Sequence, residues 1–172
     1  RGPLWFQLYI QHDRGFTQEL VQRAEQAGYE ALVVTVDAPS SGVRDRELRA
    51  GFRLPEGVSA VNLGGLPSPA PLQLRAGQSR LFDGLLRAAA TWDDIAWLKS
   101  ITRLPILLKG IMHEDDAREA FAVGATGIVV SNHGGRTLDT MPPICAVLAR
   151  IRAAVGPQAL VLADGGIRRG TD

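Results

Sequence analysis

The stretch GIVVSNHGGRTLD, Gly127 to Asp139, decides both the fold and the site. Its first part, Ile128 to Val130, is a short run of β-branched residues, which is typical of a strand buried on both faces. The run stops at Ser131-Asn132-His133, and two glycines and Arg136 follow. Imidazole is the side chain best suited to move protons near neutral pH, and an arginine three residues later is placed to clamp an anion. For this stretch alone, a surface loop with a solvated histidine and arginine is a slightly simpler explanation.

The composition is that of an ordinary globular domain. The chain has 172 residues, 45% of them hydrophobic, and a formal net charge of +1, which gives no reason to expect a nucleic acid as partner. The single cysteine, Cys145, suits a reducing compartment, and neither a signal peptide nor a run of membrane-spanning length is present. We therefore expect a cytoplasmic protein, in which only residues 40–90 offer a segment for membrane association.

Strands and helices alternate along most of the chain, which predicts parallel pairing. The five predicted strands are Trp5–Ile10, 31–36, 105–109, 127–133 and 159–166. Thr17 is the expected N-cap of the first helix and Gly28 its stop, and Thr91 is the expected cap of the helix after the long loop. Residues 40–90 interrupt the alternation with a charged patch and a Gly- and Pro-rich run, which indicates a functional or mobile insertion, or a disordered one over 64–80.

Polar residues collect where the predicted strands end. Active sites of (β/α)8 barrels lie at this rim, whereas an open doubly wound sheet has such residues only at its switch point. Five consecutive polar strand ends therefore favour an α/β protein of the barrel type. The residues are Gln7, Tyr9, Thr35, Asp37, Lys109, Ser131, His133 and Asp164.

The rim residues suggest a chemistry. A carboxylate such as Asp37 hydrogen-bonded to His133 would fix its tautomer, and Arg44 with Arg136 would match a substrate carboxylate. DGGIRRG, residues 164–170, places glycines and arginines directly after a strand, as in a phosphate cradle, although a Gly-rich turn with solvated arginines is common. Together with Lys109, the cradle suggests a phosphorylated cofactor whose reduced form is anionic.

Six motifs, in this order and spacing, resemble those of the FMN-dependent 2-hydroxy-acid oxidases and dehydrogenases, a family that includes glycolate oxidase, lactate oxidase and mandelate dehydrogenase. They are WFQLY, TVDAP, GVRDREL, LPILLKG, GIVVSNHGGRTLD and ADGGIRRGTD. The resemblance runs through the whole chain. It implies a (β/α)8 TIM barrel, of which residues 1–172 would form a partial domain covering roughly the third to seventh strands, with residues 40–90 as a loop insertion.

The resemblance also implies residue roles. His133 would be the catalytic base and Asp37 its partner, while Tyr9, Arg44, His133 and Arg136 would bind the substrate. Contacts to FMN would come from Gln7, Tyr9, Thr35, Lys109, Ser131, Asp164, Gly165, Gly166, Ile167 and Arg168. Among these, Lys109 would lie near the N1–O2 edge of the flavin, and residues 164–168 would hold its ribityl and phosphate groups.

The implied reaction is FMN-dependent oxidation of a small (S)-2-hydroxy acid to the 2-oxo acid. Electrons would pass on to oxygen, a quinone or a cytochrome, and the intact parent would be a homo-oligomer, a tetramer. The family's first two strands and its eighth have no counterpart among the 172 residues, and a barrel that lacks three strands cannot close. We therefore expect these residues alone to be inactive.

Three alternatives stay open at this point. A different FMN barrel, acting on an isoprenoid or a nucleotide, would share the phosphate cradle but would not need Asp37 and His133 flanked by two arginines. A barrel without redox chemistry would use Lys109 to form a Schiff base with its substrate. The chain as given would also be compatible with a truncated product that has no activity of its own.

Overall fold

A computed structural model describes residues 2–39, 42, 44–87 and 89–171 of the chain. Five strands form one parallel sheet in the order β1-β2-β3-β4-β5, and five α-helices lie between them or in the long loop. The strands are β1 Trp5–Leu8, β2 Ala31–Thr35, β3 Ile106–Ile111, β4 Gly127–Val130 and β5 Leu160–Ala163. The helices are α1 Arg14–Gln26, α2 Asp45–Arg49, α3 Trp92–Ile101, α4 Glu114–Ala122 and α5 Ile144–Val155. The predicted α/β class with parallel strands is confirmed.

The sequential strand order decides between the two parallel architectures. Crossovers between parallel strands are right-handed, so a sheet that never reverses its order places all its crossover helices on one face. A doubly wound sheet reverses its order at the switch point and has helices on both faces. No reversal occurs among the described strands, and the arrangement is therefore that of consecutive units of a barrel.

The two faces of the sheet have different surroundings. On the helical face, Leu32, Leu108 and Ile128 are fully buried and pack in one core with α1, α3, α4 and α5. Leu107 and Val129 are also buried, but they point to the opposite face and lie outside that core. Because side chains alternate along a strand, this second face also receives the polar residues at the strand ends.

The first helix begins earlier than its sequence suggested. Asp13, not Thr17, is the N-cap, and its side chain accepts a hydrogen bond from the backbone N–H of Phe16 at 2.7 Å. Thr17 is fully buried inside the helix, where its hydroxyl donates to the Asp13 carbonyl and accepts from the Gln11 N–H. Aspartate is at least as good a cap as threonine and comes first along the chain. Gly28, with φ +80°, follows the helix end as expected.

Most strand ends also differ from the prediction: β4 ends at Val130 and not at residue 133, and β5 ends at Ala163 and not at residue 166. β1 ends at Leu8, before Tyr9 and Ile10, whereas β3 continues past Lys109 to Ile111 through a register irregularity. The residue at the irregularity is Gly110, whose φ of +112° is accessible to glycine and strained for other residues. The predicted cap at Thr91 is confirmed, because Thr91 and Asp94 form a capping box at the start of α3.

The long connection is largely exposed but not without structure. Besides α2 it contains a 3₁₀ turn at Val61–Leu63 and a π-helical segment at Arg80–Leu86, and no regular element lies between them. It docks on the body of the protein through Leu66, through His12 bonded to the Pro67 carbonyl, and through Arg23 bonded to Asn62. Ser40, Ser41, Val43 and Ala88, which belong to the predicted insertion, lie outside the described residues. Within the described part, no helix has the length and apolar character needed to cross a membrane.

Candidate active site

A row of polar side chains crosses the face of the sheet opposite the helices, at the carboxyl ends of the strands. Gln7 at the end of β1 donates from Nε2 to Thr35 Oγ1 of β2 at 3.0 Å. Lys109 of β3 donates from Nζ to Ser131 Oγ, just after β4, at 3.0 Å. Its ammonium also lies 3.2 Å from Asp164 Oδ2, just after β5. Every strand thus contributes one member, in the order that the parallel register dictates.

His133 and Asp37 form a mostly buried pair beside this row. His133 Nδ1 lies 2.8 Å from Asp37 Oδ1, and the two side chains are only 23% and 13% exposed. With a carboxylate as its partner, Nδ1 carries the proton, which leaves Nε2 as the basic nitrogen. The histidine is also the only non-glycine residue with positive φ, +55°, among the described residues. Such strain often occurs at functional positions.

The loop that carries His133 is held by local hydrogen bonds. The His133 N–H donates to Ser131 Oγ at 3.1 Å, and the Gly134 N–H donates to the side chain of Asn132 at 3.1 Å. Asn132 in turn donates to the Pro142 carbonyl, which ties the loop to the start of α5. The polar residues after β4 form these bonds, and the bonds stabilise the positive φ of His133, which is otherwise unfavourable.

Asp37 is wedged between His133 and the backbone of β3. A Cβ on Gly110 would lie 2.4 Å from Asp37 Cβ and 2.5 Å from its Cγ, so no larger residue fits there without moving the carboxylate. Asp37 Oδ2 is buried and has no hydrogen-bond partner among the described residues. One carboxylate oxygen therefore serves the imidazole and the other faces the backbone of the bulge.

A cavity of about 370 Å³ opens beside the pair. It is lined by Tyr9, Ala38, Pro39, Gly42, Arg44, His133, Arg136 and Thr137. The side chains of the two arginines that line it are about half exposed, at 49% and 51%. Basic imidazole and two cations on one cavity make a site that can bind an anion and take a proton from it.

Sequence reasoning missed Glu47, which contacts both arginines. Its Oε1 accepts from Arg136 Nη2 at 3.0 Å and its Oε2 from Arg44 Nη1 at 3.3 Å. The hydrogen bond from Arg136 is the main cause that lowers the pKa of the Glu47 carboxyl, although desolvation acts in the opposite direction. The charged patch 44–49 was a visible signal, but nothing in it showed that Glu47 would reach a residue 89 positions away.

The segment after β5 continues the site. Gly165 and Gly166 both have positive φ, +103° and +77°, and no atom blocks the space beside Gly166. Ile167 is exposed, and Arg168 follows it directly. The structure thus gathers the predicted site residues along one edge of the sheet, with Tyr9, Arg44 and Arg136 around the cavity and residues 164–168 at the far strand.

Comparisons with known proteins place this geometry in context. A family model described as FMN-dependent dehydrogenase matches residues 1–172. The L-lactate oxidase of Alicycliphilus denitrificans is 48% identical over 172 residues, which cover 99% of this chain and 47% of the relative. The 4-hydroxymandelate oxidase of Amycolatopsis orientalis is 47% identical, with 99% of this chain and 48% of the relative covered. The chain spans about half the length of the curated relatives that it matches.

Solved structures agree with the fold. A crystal structure of mandelate oxidase with (S)-2-phenylpropionate is 46% identical and superimposes with a TM-score of 0.80, over 98% of this chain and 44% of that one. A mandelate oxidase mutant solved with an FMN adduct gives the same TM-score and identity, over 98% and 45%. The expected segment of a (β/α)8 barrel is thereby confirmed.

Proposed function

This chain belongs to the FMN-dependent dehydrogenase family, and on that premise we propose that it takes part in oxidising a small (S)-2-hydroxy acid to the 2-oxo acid. The observation that carries the proposal is the cavity on which His133, Arg44 and Arg136 converge, with Asp37 bonded to the far side of the imidazole. To oxidise a 2-hydroxy acid, an enzyme needs a base that takes the proton of the hydroxyl group and cations that bind the carboxylate. Both are present within one opening.

His133 is the proposed base. Its Nδ1 proton is engaged by Asp37, so Nε2 accepts the proton that leaves the substrate as the alcohol becomes a ketone. The imidazolium formed in this step is stabilised by the Asp37 carboxylate, which is most effective because the pair is largely shielded from water. Asp37 therefore orients the base and offsets its charge without itself taking the proton.

Arg44 and Arg136 are proposed to bind the substrate carboxylate. Each guanidinium presents N–H groups in a planar fork that matches a carboxylate, and their half-exposed positions leave them accessible to a ligand. Tyr9 lines the same cavity and is 41% exposed, so its hydroxyl is available as a further hydrogen-bonding group. This arrangement favours anionic substrates over their neutral esters or amides.

The residues of the polar row fit FMN. Gln7, Thr35 and Ser131 would contact the isoalloxazine ring, Lys109 would lie at its N1–O2 edge, and residues 164–168 would hold the ribityl and phosphate groups. Support comes from Lys109, whose ammonium is fixed between Ser131 and Asp164 on the open face of the sheet, and from the left-handed glycines after β5, which expose backbone N–H groups. When bound, FMN would take up the two electrons and the second hydrogen that leave the substrate, the first having gone to His133 as a proton. Because the relatives above are named oxidases, we propose oxygen as the final acceptor over a quinone or a cytochrome.

The Schiff-base alternative has less support. A lysine that attacks a carbonyl needs a free lone pair, and Lys109 forms an ion pair with Asp164 and donates to Ser131. No observation in the described part of the chain favours an isoprenoid or nucleotide substrate over a carboxylate.

The test is a visible spectrum of the full-length enzyme under anaerobic conditions. We expect L-lactate, glycolate or (S)-mandelate to bleach the flavin absorption, and D-lactate and the methyl ester of L-lactate to do so far more slowly. The ester is the matched control, because it keeps the hydroxyl group and removes only the charge that the arginines would bind. Bleaching by none of the three acids, or equal rates with acid and ester, would refute the proposal.

A further inference from the structure

Glu47 is the only group in the described part of the chain that bonds to either guanidinium of the arginine pair. Its two carboxylate oxygens are divided between them, one to Arg136 Nη2 at 3.0 Å and one to Arg44 Nη1 at 3.3 Å. Exposed arginines with no such bridge sample many rotamers. The orientation of both guanidinium groups therefore depends on a single carboxylate.

The bridge also offsets a repulsion. Two guanidinium groups that must both reach one small cavity carry like charges close together, and in water-exposed surroundings they would separate. One carboxylate between them reduces the local charge from two positive to one. Since each guanidinium has five N–H donors and Glu47 engages one nitrogen of each, most donors stay available for a ligand.

A second contact joins the same two segments. Gly42 lies so close to the loop after β4 that a Cβ there would be 1.9 Å from the Arg136 carbonyl oxygen. Gly42 and the side chain of Glu47 thus both lie against Arg136, whereas α2 itself has no buried residue. Glu47 is the polar member of this contact, and it connects residues 89 positions apart.

We propose that Glu47 is a positioning residue, which holds Arg44 and Arg136 in the orientation that binds a substrate carboxylate. The proposal rests on the proposed function of the two arginines as the carboxylate site. Glu47 itself touches no reacting atom. Its contribution is preorganisation, because a fork that is already oriented loses less conformational freedom when a ligand binds.

The direction in which Glu47→Gln changes the dissociation constant of a carboxylate ligand separates this role from a simple charge effect. If Glu47 acted only through its negative charge, or only as a carboxylate that the substrate must displace, Glu47→Gln would strengthen binding of an anion. If Glu47 orients the arginines, the same substitution weakens binding. We expect the dissociation constant for a carboxylate ligand to rise about tenfold, which is the loss of one ordinary hydrogen-bonding contribution.

The experiment uses pyruvate, which has the carboxylate but cannot be oxidised at its second carbon, titrated into the full-length flavoenzyme and followed by the flavin difference spectrum. The variants are Glu47→Gln, Glu47→Asp and the matched control Asp45→Asn. Asp45 lies in the same turn of α2 and loses the same charge, but among the described residues its side chain forms no hydrogen bond or ion pair with either arginine. Flavin content and thermal unfolding are measured for each variant.

We expect weaker pyruvate binding for Glu47→Gln, substantial recovery for Glu47→Asp, and an unchanged dissociation constant for Asp45→Asn, all at unchanged flavin content. Unchanged or tighter binding in Glu47→Gln would overturn the positioning role, and so would an equal loss in Asp45→Asn. If the unsubstituted enzyme bound no pyruvate and no 2-hydroxy acid reduced its flavin, the proposed function itself would fail. If instead the unsubstituted enzyme is active and its Glu47 variants bind pyruvate as it does, only the positioning role fails.

Discussion

The bulge glycine of β3 offers a sharp test of the proposed base. Replacing Gly110 with alanine adds one methyl group, whose carbon would stand 2.4 Å from Asp37 Cβ and 2.5 Å from Asp37 Cγ. Carbon atoms in contact are separated by about 3.5 Å or more, so Asp37 must move by about 1 Å. The methyl group lies on the Oδ2 side of the carboxylate, and the movement is therefore expected to be away from the strand backbone and to disturb the bond to His133.

The magnitude follows from the 2.8 Å contact between Asp37 and His133. Because Asp37 lies between His133 and the backbone of β3, a shift of about 1 Å either compresses this contact or turns the carboxylate away from Nδ1, and neither leaves a normal N–H···O hydrogen bond of about 2.7–3.2 Å. Misplacement of a catalytic group by this amount costs on the order of 10²-fold in rate. The positive φ of the site adds strain of about 1–3 kcal/mol to the folded state. We expect Gly110→Ala to slow flavin reduction on the order of 10²-fold and to lower the stability modestly.

The assay is anaerobic stopped-flow reduction of the flavin in the full-length enzyme, with thermal unfolding in parallel. Gly124→Ala is the matched control, because Gly124 has a similar φ of +97° but its added Cβ would meet only Lys99 Cγ, at an ordinary 3.8 Å. It should lose stability and keep its rate. If Gly110→Ala acts through Asp37, adding it to Asp37→Asn should slow the reaction little further. A normal rate in Gly110→Ala, or an equal rate loss in Gly124→Ala, would refute the reasoning.

Four further substitutions test other parts of the structure. His133→Gln should leave FMN bound but slow its reduction by about 10²–10⁴-fold, as measured by stopped flow, because the base is lost; near-normal reduction would remove His133 from that role. Arg136→Lys should raise KM for the hydroxy acid about tenfold or more at unchanged flavin content, since lysine lacks the planar fork; an unchanged KM would show that Arg136 does not bind substrate. Lys109→Met should lower the flavin midpoint potential in a spectroelectrochemical titration, because a nearby unit charge contributes up to about 4 kcal/mol before screening; an unmoved potential would place Lys109 away from the flavin. Burial raises the pKa of the Asp94 carboxyl, but hydrogen bonds from Thr91 and Arg14 outweigh burial and lower it. Asp94→Asn should therefore reduce the free energy of unfolding by about 1 kcal/mol at neutral pH. In denaturant titrations, the difference between the two proteins should shrink as the pH falls below 3.8, the ordinary pKa of an aspartate.

The pairing of Asp37 with His133 could be anticipated from the sequence for a physical reason. Both residues follow runs of β-branched residues, parallel strands end at one edge, and only a few polar side chains occupy that edge. The same logic brought Lys109, Ser131 and Asp164 together. Periodicity and strand ends are local signals, so residues can be assigned to one edge of the sheet even when the loop conformations are not predicted.

Other features depend on information that the local pattern does not contain. Asp13 and Thr17 are both good N-caps, and the local pattern does not show that Thr17 is buried inside the helix while Asp13 forms the cap. β3 continues beyond Lys109 through the irregularity at Gly110, where only a residue without a Cβ leaves room for Asp37, two residues after β2. Glu47 sits in a segment without periodicity, and its bond to Arg136 is a tertiary contact between two loops.

The hydrogen bond between Asp37 and His133 joins residues 96 positions apart, and this separation has a consequence for biosynthesis. A ribosome that adds about 5–20 residues per second needs roughly 5–20 s to reach the histidine after it has made the aspartate. During that interval the nascent chain carries Asp37, two residues after β2, with neither His133 nor β4 in place. Contacts between such distant residues form late, because the intervening chain must first lose its freedom. The pair of Asp37 and His133 is therefore expected to assemble only after the sheet has grown strand by strand to β4.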